Sequence, residues 1–90
     1  MSKILIIDDE RAIRRALREI LEFEQFEVDE AENGKQGLEK ALAQSYDIIF
    51  CDIKMPELDG MEVLEGITKA NIDVPVIMIS GHGNIETAVQ

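Results

Sequence analysis

Short apolar runs alternate along the chain with stretches in which apolar side chains recur at helical spacing. The runs at 4–7, 47–52 and 76–80 are nearly continuous in apolar residues, which is typical of strands buried on both faces of a parallel sheet. A weaker run around Phe26 and Val28 alternates with polar residues and predicts a strand at a sheet edge. Helical spacing predicts helices around 13–21, 38–42 and 61–67, and a further helix that starts at Ile85.

The alternation of strands and helices determines the expected fold class. Strands joined through helices need right-handed crossover connections, so the pattern predicts an α/β domain, a doubly wound parallel sheet with helices on both faces. The 90 residues allow a single small domain. In sheets of this class, functional groups gather at the carboxyl ends of the strands, near the point where the strand order reverses.

The composition of the chain argues against several classes of function. Nineteen acidic residues against nine basic ones give a formal charge of −10, which disfavours contact with nucleic-acid phosphates, so we expect no direct binding of nucleic acid. No apolar run approaches the roughly 20 residues of a membrane span, and the first residues lack the features of a signal peptide. Cys51 is the only cysteine, which fits a reducing compartment. We therefore expect a cytoplasmic protein that makes no contact with membranes.

Polar side chains lie at the carboxyl ends of three of the predicted strands. Asp8 and Asp9 end the first predicted strand, Asp52 ends the third and Ser80 ends the fourth. Because the carboxyl ends of parallel strands meet at one edge, the three carboxylates are expected to lie close together, where each pair repels by about 1 kcal/mol in water at 4 Å. A hard divalent cation removes this repulsion, and Mg²⁺ commonly binds carboxylates together with a phosphoryl group. The pattern therefore predicts half of a cation site, which a phosphoryl group completes.

Each of these residues has a simpler explanation when it is taken alone. A carboxylate of Asp8 or Asp9 suits an N-cap of the following helix, because it accepts backbone N–H bonds at the positive end of the helix dipole. Ser80 suits a turn or a cap equally well. Independent caps are not expected to converge on one sheet edge together with an acid such as Asp52, and this convergence favours a functional site.

Three motifs of the sequence resemble those of one protein family. The segments "ILIIDDE" (4–10), "DIIFCDIKMPELDGMEVL" (47–64) and "VPVIMISGHG" (74–83) are similar, in order and spacing, to the receiver domain of bacterial two-component response regulators. The resemblance covers the whole chain, 1–90, and implies a flavodoxin-like sheet of strand order 2-1-3-4-5. A complete receiver also has a fifth strand, a last helix, a lysine that pairs with the phosphoryl group and an aromatic switch residue. None of these is found within 1–90, so we expect a receiver domain that is incomplete at its C-terminus.

The resemblance implies a role for each polar residue at the carboxyl edge. Asp52 is implied to be the phosphoacceptor, and Asp9 and Asp52 to bind Mg²⁺, the only cofactor implied, through their side chains. Lys54 is implied to give its backbone carbonyl to the metal, and Asp8 to help place the metal, often through water. Ser80 takes the position of the hydroxyl that hydrogen-bonds the phosphoryl group and moves with it.

The same resemblance implies partners and an output. A sensor histidine kinase supplies the phosphoryl group, and the domain switches an output instead of acting as an enzyme on a separate substrate. The ending "ISGHGNIETAVQ" (79–90) is most similar to nitrogen-regulation-type receivers, which implies an ATPase and a DNA-binding output beyond residue 90. Without a fifth strand, the run at 76–80 is expected to form an open sheet edge, through which we expect the chain to self-associate.

Three other functions share parts of this pattern. A Mg²⁺-dependent phosphatase with an aspartate nucleophile shares the chemistry, but it usually has a second catalytic carboxylate two residues after the first, where this chain has Lys54. A flavodoxin-like nucleotide binder shares the fold, but it usually has a Gly-, Ser- or Thr-rich phosphate loop, where this chain has "DDE" at 8–10. A non-phosphorylated interaction module of the same fold needs no metal.

Overall fold

Strands and helices alternate along the chain as the hydrophobic pattern predicts, up to residue 79. The computed structural model describes residues 2–79 and the backbone of residues 85–88. No helix within these ranges is long and apolar enough to cross a membrane. The elements in chain order are β1 (Lys3–Ile7), α1 (Arg11–Phe23), β2 (Glu27–Ala31), α2 (Gly34–Ala43), β3 (Ile48–Asp52), α3 (Gly60–Lys69), β4 (Val76–Ile79) and β5 (Ile85–Ala88).

The strands form one sheet in the order β2-β1-β3-β4-β5. β1 pairs in parallel with β2 and β3, and β3 pairs in parallel with β4. The predicted parallel order 2-1-3-4 is therefore confirmed. The strand order reverses between β1 and β3, because the chain moves from β1 outward to β2 and then returns to the other side of β1. In this pairing Ile7 lies beside Cys51, so the residues that follow β1 lie near the end of β3.

Side chains that alternate along β1 divide the core into two layers. Leu5 and Ile7 belong to the larger cluster, which includes residues of α2 and α3. Ile4 and Ile6 belong to the smaller cluster, against which residues of α1 pack. All four side chains are buried. The continuous apolar run is thus buried on both faces, as expected of an inner strand of a parallel sheet, and the predicted doubly wound architecture is confirmed.

The segment Ile85–Ala88 differs from its prediction. It forms the strand β5, antiparallel to β4, with Ile85 opposite Ile79 and Ala88 opposite Val76. The predicted helix is therefore wrong for these residues. β-Branched Ile85 and Thr87 favour a strand, and pairing satisfies backbone groups along β4 that a short helix would leave open. The prediction that β4 is an open edge is wrong for the same reason, because β5 occupies that edge.

The inner strands should carry the stability of this fold. Ile49 lies in β3 and is 1% exposed within the larger cluster. We predict that Ile49→Ala lowers the free energy of unfolding by about 2–5 kcal/mol, because it leaves a cavity that the neighbouring strands cannot fill. Urea unfolding followed by circular dichroism measures the loss.

The matched control is Ile20→Ala on α1, where the side chain is 62% exposed. This variant should change the free energy of unfolding by less than about 0.5 kcal/mol. Equal losses for Ile49→Ala and Ile20→Ala would contradict the position of the core.

Candidate metal centre

Three aspartates meet at the carboxyl edge of the sheet. Asp8 and Asp9 follow β1, and Asp52 ends the neighbouring strand β3. One carboxylate oxygen from each of the three lies within 4.8 Å of the others. Asp8 and Asp52 are buried, at 1% and 6% exposure, whereas Asp9 is exposed. The structure thus brings together the three carboxylates that the sequence pattern placed at one edge.

Asp8 is held at three of its four polar groups. Its N–H donates to the carbonyl oxygen of Ala31 at 3.1 Å, its Oδ1 accepts the N–H of Glu10 at 2.8 Å, and its carbonyl accepts Nη1 of Arg14 at 2.7 Å. The fourth group, Oδ2, is buried and has no hydrogen-bond partner in the described part of the chain. A buried carboxylate oxygen without a partner costs free energy, and a cation bound at this edge would supply the missing partner.

A capping role accounts for only part of this arrangement. The N-cap of α1 is Glu10, whose side chain makes no capping hydrogen bond. Asp8 closes the turn before α1 by accepting the N–H of Glu10 through Oδ1. That bond uses one of its two carboxylate oxygens and leaves Oδ2 unexplained, so the geometry favours a ligand over a cap.

The loop after β3 returns to the backbone of Asp52. The N–H of Gly60 donates to the carbonyl of Ile53 at 2.9 Å, and this bond brings the start of α3 against the end of β3. A Cβ atom at Gly60 would lie 2.3 Å from the carbonyl oxygen of Asp52, so the approach requires glycine. Asp59 and Glu62 form a capping box that fixes the first turn of α3. The start of α3 therefore packs against the backbone of Asp52, the phosphoacceptor candidate.

Burial and like charges make the ionised form of this cluster unfavourable. Burial, followed by the negative charge of Asp8, raises the pKa of Asp52 to about 6, against the effect of the Lys54 N–H. Burial also raises the pKa of Asp8, and the hydrogen bond from the N–H of Glu10 opposes that shift. At neutral pH the metal-free site therefore holds electrostatic repulsion that a bound cation relieves.

Lys54 and Ser80 were also predicted to belong to the site. Lys54 lies two residues beyond Asp52 with an exposed side chain, which suits a contribution through its backbone alone. Ser80 lies outside the described residues, so its role stays a prediction. Arg14, which contacts Asp8, was missed. Its signal in the sequence is a cation near the start of a helix, where the helix dipole disfavours positive charge.

Comparison with known proteins identifies the family. The family described as "Response regulator receiver domain" matches residues 4–90. The chain belongs to this family. The predicted family is therefore confirmed. Receiver domains of response regulators are signalling domains and not conventional enzymes, which agrees with the predicted signalling role.

A curated relative shows how far the similarity in sequence extends. This receiver domain is 44% identical over 89 residues to transcriptional regulatory protein ResD of Bacillus subtilis, covering 99% of this chain and 37% of ResD. The chain thus spans less than two fifths of that relative. ResD does not support the finer prediction of a nitrogen-regulation-type receiver.

The solved structures carry the same fold. Response regulator TrrA of Thermotoga maritima in complex with Mg(2+)-BeF matches with a TM-score of 0.85 at 40% identity, covering 91% of this chain and 73% of that chain. A structure of histidine kinase ThkA in complex with TrrA also matches, with a TM-score of 0.85 at 39% identity, covering 93% of this chain and 72% of the matched chain.

The raised pKa of Asp52 predicts how stability depends on pH. The folded receiver binds more protons than the unfolded chain between the ordinary aspartate pKa and about 6, so the free energy of unfolding decreases as pH rises through this window. Asp52→Asn removes this titration. The variant should therefore gain about 1–3 kcal/mol over the wild type above pH 6, and the gain should shrink as the pH falls to 5. Urea unfolding with a chelator at several pH values measures the difference.

Asp73→Asn is the matched control, because Asp73 is exposed. This surface substitution should change the free energy of unfolding by less than about 0.5 kcal/mol. If Asp52→Asn differed from the wild type by the same amount at pH 5 and pH 8, the raised pKa would be wrong.

Proposed function

We propose that this chain is the phosphoacceptor domain of a two-component response regulator, with residues 1–90 forming part of that domain. In this proposal Asp52 accepts a phosphoryl group from a histidine kinase and the domain then switches an output. The observation that carries the proposal is the meeting of three carboxylates within 4.8 Å, one of which has a buried oxygen, Asp8 Oδ2, without a partner among the described residues.

Mg²⁺ is the proposed cofactor. Carboxylate and carbonyl oxygens are the ligands that this cation prefers, and the matching structure of TrrA is a complex with Mg(2+)-BeF. Asp9 and Asp52 are proposed as side-chain ligands, Lys54 as a ligand through its backbone carbonyl, and Asp8 as a residue that places the metal, often through water. When bound, the cation would offset negative charge on the phosphoryl oxygens.

The proposed chemistry is nucleophilic attack by a carboxylate. A carboxylate oxygen of Asp52 attacks the phosphorus of a phosphohistidine, a new O–P bond forms, and the P–N bond breaks with its electron pair returning to the imidazole. The product is a mixed anhydride on Asp52. With a pKa of about 6, Asp52 is mainly ionised at neutral pH and ready to attack. We propose that the domain catalyses only its own phosphorylation and dephosphorylation, without a separate substrate.

The proposed switch begins at Ser80. The phosphoryl group adds three strong acceptors, and the Ser80 hydroxyl is proposed to donate to one of them and to move with it. Reversing a two-state equilibrium from 1:99 to 99:1 requires about 5.5 kcal/mol. A single charge-assisted bond supplies about 1.5–3 kcal/mol, so further groups must bind the phosphoryl group or stabilise the switched state.

The proposed partners have different degrees of support. The structure of ThkA in complex with TrrA supports a histidine kinase as the phosphoryl donor, and the name of ResD supports a transcriptional output. An ATPase and a DNA-binding output beyond residue 90 and a cytoplasmic location stay predictions. Self-association also stays a prediction, although β5 covers the strand edge through which it was expected.

Phosphorylation tests the proposal directly. We predict that phosphoramidate and Mg²⁺ add one phosphoryl group to the wild-type chain, seen as a mass increase in intact-protein mass spectrometry. Asp52→Asn should abolish the increase, because the amide is not a nucleophile at this position, and Asp73→Asn should retain it. Phosphate recovered on Ser80 or Asp73 of the wild type would overturn the assignment.

Metal binding is a separate test. We predict that Mg²⁺ raises the free energy of unfolding by about 2.7 kcal/mol at a hundredfold excess over its dissociation constant. Asp9→Ala should abolish this gain and raise metal-free stability, because one repelling charge is lost. Thermal unfolding with and without Mg²⁺ measures both effects, with Asp73→Ala as the control. A cap at Asp9 predicts the opposite metal-free result, a loss of about 1 kcal/mol.

A further inference from the structure

Arg14 joins the end of β1 to β2 through a mostly buried guanidinium. Its Nη1 donates to the carbonyl oxygen of Asp8 at 2.7 Å, and its Nε donates to Oε1 of Glu30 at 3.1 Å. The Arg14 side chain is only 12% exposed. Because the guanidinium is planar and rigid, two such bonds fix its position more firmly than one flexible ammonium contact would. The carbonyl of Asp8 is therefore tied both to α1 and to β2.

The position of Arg14 in α1 disfavours a purely local explanation. The helix starts at Arg11 and has no acidic residue in its first turn. Cations near a helix N-terminus face the positive end of the dipole, at a cost of about 0.3–1 kcal/mol each. Departures from such local rules are expected where function compensates for them. The partners of Arg14 lie outside its helix, at the acidic cluster and on β2.

The carbonyl oxygen that Arg14 binds lies in the backbone between two of the three aspartates. The carbonyl oxygen of Asp8 belongs to the planar peptide unit that joins Asp8 to Asp9. A bond to this oxygen therefore sets the orientation of the Asp8 main chain and the direction in which the chain continues into Asp9. Together with the bonds at the N–H and Oδ1 of Asp8, it leaves Oδ2 as the one polar atom of Asp8 without a partner among the described residues.

We propose that Arg14 is a positioning residue of the cation site, which raises the affinity for Mg²⁺ by fixing the peptide unit between Asp8 and Asp9 beside Asp52. This inference rests on the proposed function, because it gives Arg14 a part in the Mg²⁺ site. Arg14 acts through the main chain of Asp8 and does not itself bind the metal.

The sign of the effect on metal affinity separates positioning from electrostatics. A cationic guanidinium near the cluster repels Mg²⁺, so removing the charge alone would tighten binding. Losing the orientation of Asp8 and Asp9 would weaken binding. A role limited to stability would lower the free energy of unfolding and leave the dissociation constant of the folded protein unchanged.

The test is an NMR titration of the full chain with Mg²⁺, in which amide shifts give the dissociation constant and report that the protein is folded. Arg14→Gln should weaken Mg²⁺ binding about tenfold, the lower end of what groups that orient metal ligands contribute. Arg14→Lys keeps the positive charge but loses the planar guanidinium that makes both hydrogen bonds, so it should weaken Mg²⁺ binding less than Arg14→Gln does. It also tests the proposal if Arg14→Gln fails to fold.

Arg18→Gln is the matched control, because Arg18 also pairs with Glu30 and makes no hydrogen bond to Asp8. This variant should bind Mg²⁺ within about twofold of the wild type. Unchanged or tighter binding by both Arg14 variants, or equal weakening by Arg14→Gln and Arg18→Gln, would overturn the inference. If the wild type bound no Mg²⁺, both the proposed function and the inference about Arg14 would fail. Normal Mg²⁺ binding by the wild type and by all variants would reject only the inference about Arg14.

Discussion

Parallel pairing of β1 with β3 brings like charges together, and the rest of the site depends on this arrangement. The register places Ile7 beside Cys51, so the residues that follow β1 lie close to Asp52 at the end of β3. Repulsion between the carboxylates opposes the pairing, and apolar burial on both faces of the two strands holds it in place. The same burial removes water from Asp8 and Asp52, which makes their charge more costly and a cation more effective. Core and site are therefore two results of one pairing.

The sequence was most informative where burial alone decides the structure. The runs at 4–7 and 47–52 predict inner strands because a parallel sheet covers both of their faces, and the convergence of Asp8, Asp9 and Asp52 follows from parallel order without further assumptions. β5 was mispredicted because the conformation of a segment of this length depends on an available partner, here the edge of β4, and not on its own periodicity. Arg14 was missed because its contacts with Asp8 and Glu30 join three elements, and its position near a helix start reveals neither of these partners.

The predictions of the family and of its subgroup rested on different parts of the chain. The acidic pair, the segment around Asp52 and the strand before Ser80 concern the shared chemistry, and the family match over residues 4–90 agrees with them. The nitrogen-regulation prediction rested on the ending at 79–90, which contains none of the three clustered aspartates. The 44% identity to ResD extends over 89 residues, 99% of the chain, so it includes most of this ending and gives the subgroup prediction no support.

The contact between Gly60 and the backbone of Asp52 limits how this domain can evolve. A Cβ at position 60 would come within 2.3 Å of the Asp52 carbonyl, and every amino acid other than glycine has that atom. Any other residue at position 60 must therefore either displace the start of α3 or shift the end of β3. Substitutions on the exposed faces of the helices avoid this clash, whereas any side chain at position 60 moves backbone directly beside the aspartate.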